Sequence, residues 1–136
     1  MRTETVEVRT GSQPVVVDLT QQCESFLSSG DSRDGLLNVF VPHATAGLAL
    51  IEVGAGSDTD LLGALDSLLP GSGDWRHRHG SRGHGRDHVL PAFVSPSLTI
   101  PVVGGSMQLG TWQSVCLVDT NRDNALRNVR LSFVQG

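Results

Sequence analysis

The sequence predicts one α+β domain over residues 1–136, with antiparallel β-sheet layers and two main helices on one face. Most apolar segments are short, alternate with polar residues and lie between glycine-rich turns, which is typical of strands. Two segments instead repeat their apolar residues at helical spacing. A length of 136 residues suits a single domain, and no repeat or linker divides the chain. Strands joined mainly by short turns favour an antiparallel sheet.

The N-terminal strands are predicted from alternation and turn residues. Residues 3–10 alternate strictly, and an apolar run at 14–19 follows the turn at Gly11 and Ser12. We expect these two runs to pair as a β-hairpin. Further strands are predicted at residues 35–42, 46–51, 97–103, 107–109, 111–118 and 126–134.

The first helix is predicted to start with Thr20 as its N-cap, because a hydroxyl there can accept a hydrogen bond from the first helical turn. Its apolar face consists of Cys23, Phe26 and Leu27, at helical spacing, and Gly30 is a natural stop.

The second helix is predicted from a leucine-rich segment. Ser57 and Asp60 resemble a capping arrangement at its start, and Pro70 ends it. Five leucines are expected on one buried face: Leu61, Leu62, Leu65, Leu68 and Leu69.

Composition excludes several classes of protein. A net charge of −4 and an isoelectric point near 5.6 argue against a nucleic-acid partner. No apolar run approaches the roughly 20 residues of a membrane span, and no signal peptide is recognised, so a cytoplasmic protein is expected. The chain has no lysine, which excludes a lysine Schiff base or a lysine general base. Its two cysteines, Cys23 and Cys116, are expected to be free buried thiols.

Histidines are the main candidates for chemistry. Four of the five lie within twelve residues, in and just after the Gly/His/Arg-rich loop 71–86, and His43 follows an apolar strand. Neutral imidazole is the commonest ligand of transition metals, and three such ligands leave a position open on zinc. Spacing alone leaves two alternatives, a metal centre or a solvated polar loop with His43 as an ordinary residue at a strand end. The loop histidines are His77, His79, His84 and His88.

Other candidates are weaker. Glu52 can orient an imidazole or act as a base, or it is an ordinary exposed residue. Trp112 lies near Gly110 in a predicted strand, where it can pack in the core or contact a ligand. Arg127 and Arg130 in the last strand suit phosphate, or they are solvated at the surface.

Residues 39–52 resemble the signature of the YjbQ family, often called secondary thiamine-phosphate synthases. The shared pattern is a strand, then His43 among small residues, then Glu52 nine positions on. The resemblance continues over residues 35–134, in the order Trp75-Arg76-His77, His88, Ser97-Leu98 with Ile100-Pro101, Leu109-Gly110-Thr111-Trp112-Gln113, and Arg127. The chain departs from the pattern at Ala44, where the family usually has threonine, and at Arg86, where some members have a further histidine.

The resemblance implies an α+β fold, a homotrimer and a histidine-lined pocket. His43, His77 and His88 would hold a divalent metal, zinc or magnesium, and Glu52, His43 and His88 would be catalytic. Substrate contacts would come from Ser97, Thr111, Trp112, Gln113 and Arg127. The roles of His79, His84, Asp58 and Asp60 stay open.

The activity implied by the resemblance is a transferase reaction on phosphorylated small molecules. It joins hydroxymethylpyrimidine pyrophosphate to a thiazole phosphate and releases pyrophosphate. Two alternatives use the same histidines. One is metal-assisted hydrolysis with Glu52 as general base, and the other is a non-catalytic trimeric module that binds a ligand or a metal.

Overall fold

The computed structural model describes residues 1–136 and contains eight strands, three α-helices and one 3-10 turn. In chain order the elements are β1 Arg2–Arg9, β2 Val15–Asp18, α1 Thr20–Ser28, β3 Gly35–Phe40, β4 Ala46–Ile51, α2 Ser57–Leu68, α3 His84–Asp87, the 3-10 turn Leu90–Ala92, β5 Ser97–Val103, β6 Ser106–Met107, β7 Ser114–Asp119 and β8 Leu126–Gln135.

The strands form two sheets, and every pairing is antiparallel. One sheet has the order β1-β8-β3-β5-β6 and the other β2-β7-β4. The predicted α+β class with antiparallel layers is therefore confirmed. The predicted hairpin of the first two strands is wrong, because β1 pairs with β8 and β2 with β7. Strand β8 pairs with all eight residues of β1, whereas the four residues of β2 would leave half of β1 unpaired.

The main core lies between the two sheets and α1. It contains 17 buried residues, and the predicted face of α1, namely Cys23, Phe26 and Leu27, belongs to it. A second, smaller cluster joins α2 to Val118 of β7, whose neighbour Leu117 points into the main core. Since successive strand residues face opposite sides of a sheet, the two main helices pack in different clusters instead of sharing one face.

Both helix starts differ from the predictions. Thr20 is the first residue of α1 and its N-cap is Leu19. The Thr20 hydroxyl donates to Asp18 at 2.6 Å and accepts from the Val115 N–H at 2.9 Å, so it ties the helix to β7. Helix α2 follows Gly56, with no side-chain cap from Ser57.

The leucines of α2 are buried unevenly. Leu65 and Leu69 are buried, while Leu68 is 57% exposed. The helix therefore covers the three-stranded sheet with a narrower apolar face than its leucine content predicts.

The two cysteines are free and buried, as expected. Burial, followed by the nearby Asp18 charge, raises the pKa of Cys23 and of Cys116 to about 12. Neither thiol is therefore a thiolate nucleophile at neutral pH.

The ends of several strands meet at one edge of the molecule. Ala46, which begins β4, pairs with Asp119, which ends β7. The segment between α2 and the 3-10 turn lies at this edge, where Asp87 is hydrogen-bonded to Thr120. No helix combines the length and the apolar character needed to cross a bilayer.

Candidate functional site

The histidine-rich segment is folded tightly although it has little regular structure. The indole N–H of Trp75 donates to the Pro70 carbonyl at 2.9 Å. A Cβ on Gly85 would lie 2.4 Å from the His77 carbonyl oxygen, so only glycine lets the loop lie against α3 there. Gly80 has a φ of +84° and likewise contacts the His84 ring. These close approaches place His77 and His79 beside His84 and His88.

The four loop histidines form one cluster of imidazole rings. The ring centroids of His77 and His88 are 4.1 Å apart, and those of His84 and His88 are 4.8 Å apart. His79 lies 4.1 Å from His77. The ligand nitrogens of His77, His79 and His84 all lie within 4.8 Å of one another. The Nε2 atoms of His84 and His88 are 3.1 Å apart.

Polar residues after β7 orient His84. Its Nδ1 lies 2.8 Å from Asp123 Oδ2 and 3.1 Å from the Asn121 amide nitrogen. The amide nitrogen is also 3.1 Å from Asp87 Oδ2, to which it can donate. We therefore assign the proton on His84 Nδ1 as donated to Asp123. That tautomer leaves the Nε2 lone pair facing the other histidines, as in carboxylate–histidine–metal arrangements.

Asp87 anchors α3 against β7. The carboxylate is 1% exposed and accepts from the Thr120 hydroxyl, the Asn121 amide and Arg86 Nε. Three donors satisfy this buried charge, which would otherwise be costly. Asp87 thereby fixes the position of the adjacent His88.

The electrostatics of the cluster favour neutral imidazoles at His77 and His88. Desolvation, followed by repulsion from neighbouring histidines, lowers the pKa of His77 and of His88 below the ordinary value of 6.5. The Ser81 N–H donates to Asp123 Oδ2 at 3.0 Å, which lowers the pKa of Asp123 and keeps it charged beside His84. Neutral imidazoles carry the free lone pair that metal binding needs.

His43 lies apart from this ring cluster. It is half-buried in the connection between β3 and β4, and its Nε2 accepts a hydrogen bond from the Asn128 N–H at 3.0 Å. Desolvation and then the Arg127 charge lower the pKa of His43. The ring contacts within the chain join the four loop histidines only. The implied role of His43 as a ligand of the same metal ion as His77 and His88 therefore stays a prediction.

Arg127 is buried, so its interpretation as a solvated surface residue is wrong. It is 2% exposed, and its Nε and Nη2 donate to the two Asp119 carboxylate oxygens at 2.7 and 3.0 Å. Nη2 also donates to the Thr45 hydroxyl at 2.8 Å. Arg130 is exposed. Nε and Nη2 of Arg127 therefore already donate hydrogen bonds within the chain. The implied contact of Arg127 with phosphate stays a prediction.

The other implied site residues lie away from the histidine cluster. Trp112 is 73% exposed and sits with Thr111 in a turn, which corrects both its assignment to a strand and its core-packing interpretation. Gln113 accepts from the Gly110 N–H, and Ser97 accepts from the Asn38 amide. Glu52 is half-buried and makes no ion pair. None of these residues lines the cleft of about 540 Å³ along the histidine loop.

Comparison with known proteins places the whole chain in one family. A family model described as "UPF0047 protein YjbQ-like" matches residues 4–136. A UPF0047 protein of Mycobacterium tuberculosis is 58% identical over 136 residues, which is 100% of both chains. A UPF0047 protein of Methanothermobacter thermautotrophicus is 31% identical over 133 residues, which cover 96% of this chain and 90% of the other.

Solved structures agree with this placement. The crystal structure of a hypothetical protein from Aeropyrum pernix is 32% identical, covers 100% of both chains and gives a TM-score of 0.90. A YbjQ-like protein of unknown function from Sulfolobus solfataricus, at 24% identity, shares the fold with a TM-score of 0.92 over 99% of this chain and 97% of its own. The chain belongs to the UPF0047, YjbQ-like family.

Proposed function

We propose that the chain is a metal-dependent enzyme whose centre is the cluster of loop histidines. The observation that carries the proposal is the convergence of ligand nitrogens from His77, His79 and His84 within 4.8 Å, with His88 Nε2 at 3.1 Å from His84 Nε2. Two further observations support it. The Asp123 carboxylate lies 2.8 Å from His84 Nδ1, and the pKa of His77 and of His88 is lowered.

The donor set fits zinc better than magnesium. Magnesium prefers oxygen ligands in octahedral geometry, whereas zinc is commonly held by imidazole nitrogens. Donors at the usual Zn–N distance in a tetrahedron are about 3.3 Å apart, close to the 3.1 Å between the Nε2 atoms of His84 and His88. His43, which the resemblance implies as a ligand, would have to reach this centre by a rearrangement or from another subunit.

The reaction that the resemblance favours is thiamine-phosphate formation. The thiazole nitrogen replaces the pyrophosphate group on the pyrimidine's methylene carbon, so that one C–N bond forms and one C–O bond breaks. A bound divalent cation would stabilise the charge on the leaving pyrophosphate. The cleft suits such charged reactants, because polar, charged and glycine residues line it with a single hydrophobic one. Asp87 and Asn121 would keep His84 and His88 in place.

The assay that tests this proposal measures thiamine phosphate made from the two phosphorylated precursors in the presence of zinc or another divalent ion. We expect His88→Ala to lower the rate by at least about 100-fold, a typical effect of losing electrostatic support for the transition state. Arg76→Ala is the matched control in the same loop, since Arg76 is exposed and does not line the cleft. Product formation no faster in the wild type than in His88→Ala would contradict the proposal.

The other implied functions have less support. No contact of Glu52 marks it as a general base, so hydrolysis stays a prediction from the sequence. Metal uptake without turnover would instead indicate a binding module. A cytoplasmic location also stays a prediction.

A homotrimer, also implied by the resemblance, has one supporting feature. Exposed apolar residues lie side by side across three strands on the outer face of the larger sheet, where Val134 pairs with Leu36 and Leu36 with Pro101. Leu36 is 48% exposed and Val134 is 47% exposed. Contact between subunits would cover this apolar surface.

A further inference from the structure

A second cavity lies beside the histidine cleft. Its volume is about 260 Å³, and three arginines line it: Arg82, Arg86 and Arg122. The cavity shares Gly71, Ser72 and Arg82 with the histidine cleft, so the two spaces adjoin. No role implied by the resemblance uses these arginines.

Arg86 is a fixed element of this cavity. Its side chain is 8% exposed, and its Nε donates to Asp87 at 2.8 Å. Its Nη1 donates to the Leu69 carbonyl at 3.0 Å. The guanidinium is therefore held in one orientation before any ligand arrives, which lowers the entropic cost of binding.

One nitrogen of Arg86 is left open to the cavity. Nη2 has no hydrogen-bond partner in the chain, and the only buried side-chain polar atom without a partner is Ser81 Oγ, so solvent reaches Nη2. Glycines flank it, since a Cβ on Gly83 would lie 3.3 Å from Nη2 and one on Gly71 3.7 Å away. The missing side chains leave room for a ligand atom at this donor.

The two other arginines add charge without a counter-charge. Arg82 and Arg122 are exposed, and neither takes part in an ion pair within the chain. The one acidic residue lining the cavity is Asp66, whose side chain is 75% exposed and lies 3.4 Å from Arg86 Nη1. With the buried Asp87 that pairs with Arg86 Nε, three guanidinium groups meet two carboxylates. One positive charge remains in excess, and it favours an anion.

We propose that this cavity binds a phosphoryl group. Planar guanidinium groups match the oxygens of phosphate and form strong charge-assisted hydrogen bonds with them. A phosphoryl group held here would lie next to the loop histidines. It would belong to the diphosphate precursor or to the phosphorylated thiazole. This assignment to a substrate rests on the proposed function. Binding to the cavity can be measured without turnover.

The test is calorimetric titration of metal-free protein with inorganic phosphate and with pyrophosphate. Arg82→Gln/Arg122→Gln removes the two exposed arginines, and Arg76→Gln/Arg130→Gln removes two exposed arginines that do not line the cavity. We expect the first variant to bind at least about tenfold more weakly than the wild type, because it loses charge-assisted hydrogen bonds to the phosphoryl oxygens. The control should stay within about twofold of the wild type. Equal thermal unfolding of both variants checks that folding is unaffected.

The two ligands separate the possible sources of the phosphoryl group. Tighter binding of pyrophosphate would support a subsite for the diphosphate precursor, and equal binding one for a monophosphate. Titration of His88→Ala separates this proposal from the proposed function, since phosphate binding should persist in that variant while turnover is lost. No binding by the wild type, or equal weakening in both arginine variants, would overturn the proposal.

Discussion

Arg127→Met is expected to lower the free energy of unfolding by about 3–5 kcal/mol, because it leaves a buried carboxylate without its partner. Arg127 and Asp119 are 2% and 1% exposed, and the guanidinium donates two hydrogen bonds to the carboxylate. The Asn121 N–H, at 2.9 Å from Asp119 Oδ1, is the other donor to this group. Urea unfolding followed by circular dichroism measures the loss.

Two further variants make this expectation specific. Arg130→Met changes an exposed arginine of the same strand and should alter stability by less than about 0.5 kcal/mol. Arg127→Met/Asp119→Asn removes the unpaired charge and should be more stable than Arg127→Met alone. A loss in Arg127→Met as small as that in Arg130→Met would show that the buried pair does not stabilise the fold.

Gly47→Ala is expected to cost about 3 kcal/mol through overpacking. A Cβ at this position would lie 2.0 Å from the carbonyl oxygen of Val94 and 2.8 Å from its Cγ1. The obstacle is backbone, and the next residue, Leu48, donates its N–H to Ser95 at 2.7 Å. Strand β4 or the chain after the 3-10 turn would have to move. The fall in melting temperature relative to the wild type measures this destabilisation.

Gly63→Ala is the matched control, with an expected effect of opposite sign. Gly63 is exposed within α2, and a Cβ there would meet no atom within 4 Å. Alanine should stabilise the helix by about 0.5–1 kcal/mol, because glycine loses more backbone entropy on folding. Similar melting temperatures for the two variants would contradict the close packing of β4.

Local patterns predicted the elements better than their pairing. Strand β4 spans residues 46–51 as predicted, and the buried face of α1 is the predicted one. The pairing of β1 with β8 joins opposite ends of the chain, which no local pattern encodes. The predicted N-cap at Thr20 is wrong, because Thr20 is the first helical residue and its own N–H donates to Asp18.

The candidate site was predictable by residue type and not by geometry. The histidines stand out in the sequence, but Asn121 and Asp123 meet His84 only after residues far apart in the chain are brought together. In the sequence, a run of Asp and Asn residues after a buried strand predicts a turn and not a contact with a histidine. The burial of Arg127 did have a local signal, since Arg127 and Val129 fall on the same face of an alternating strand.

The central claim is that the loop histidines hold a divalent metal ion, and elemental analysis of untagged protein purified without chelator tests it most directly. We predict about one zinc or similar ion per chain at pH 7.5, lost in His77→Ala/His84→Ala/His88→Ala and kept in Arg76→Ala. The pKa of His77 and of His88 lies below 6.5, so the ion should be retained near neutral pH and released only as acidification protonates the imidazoles. Wild-type protein without metal, or a triple variant that keeps the wild-type amount, would contradict the account.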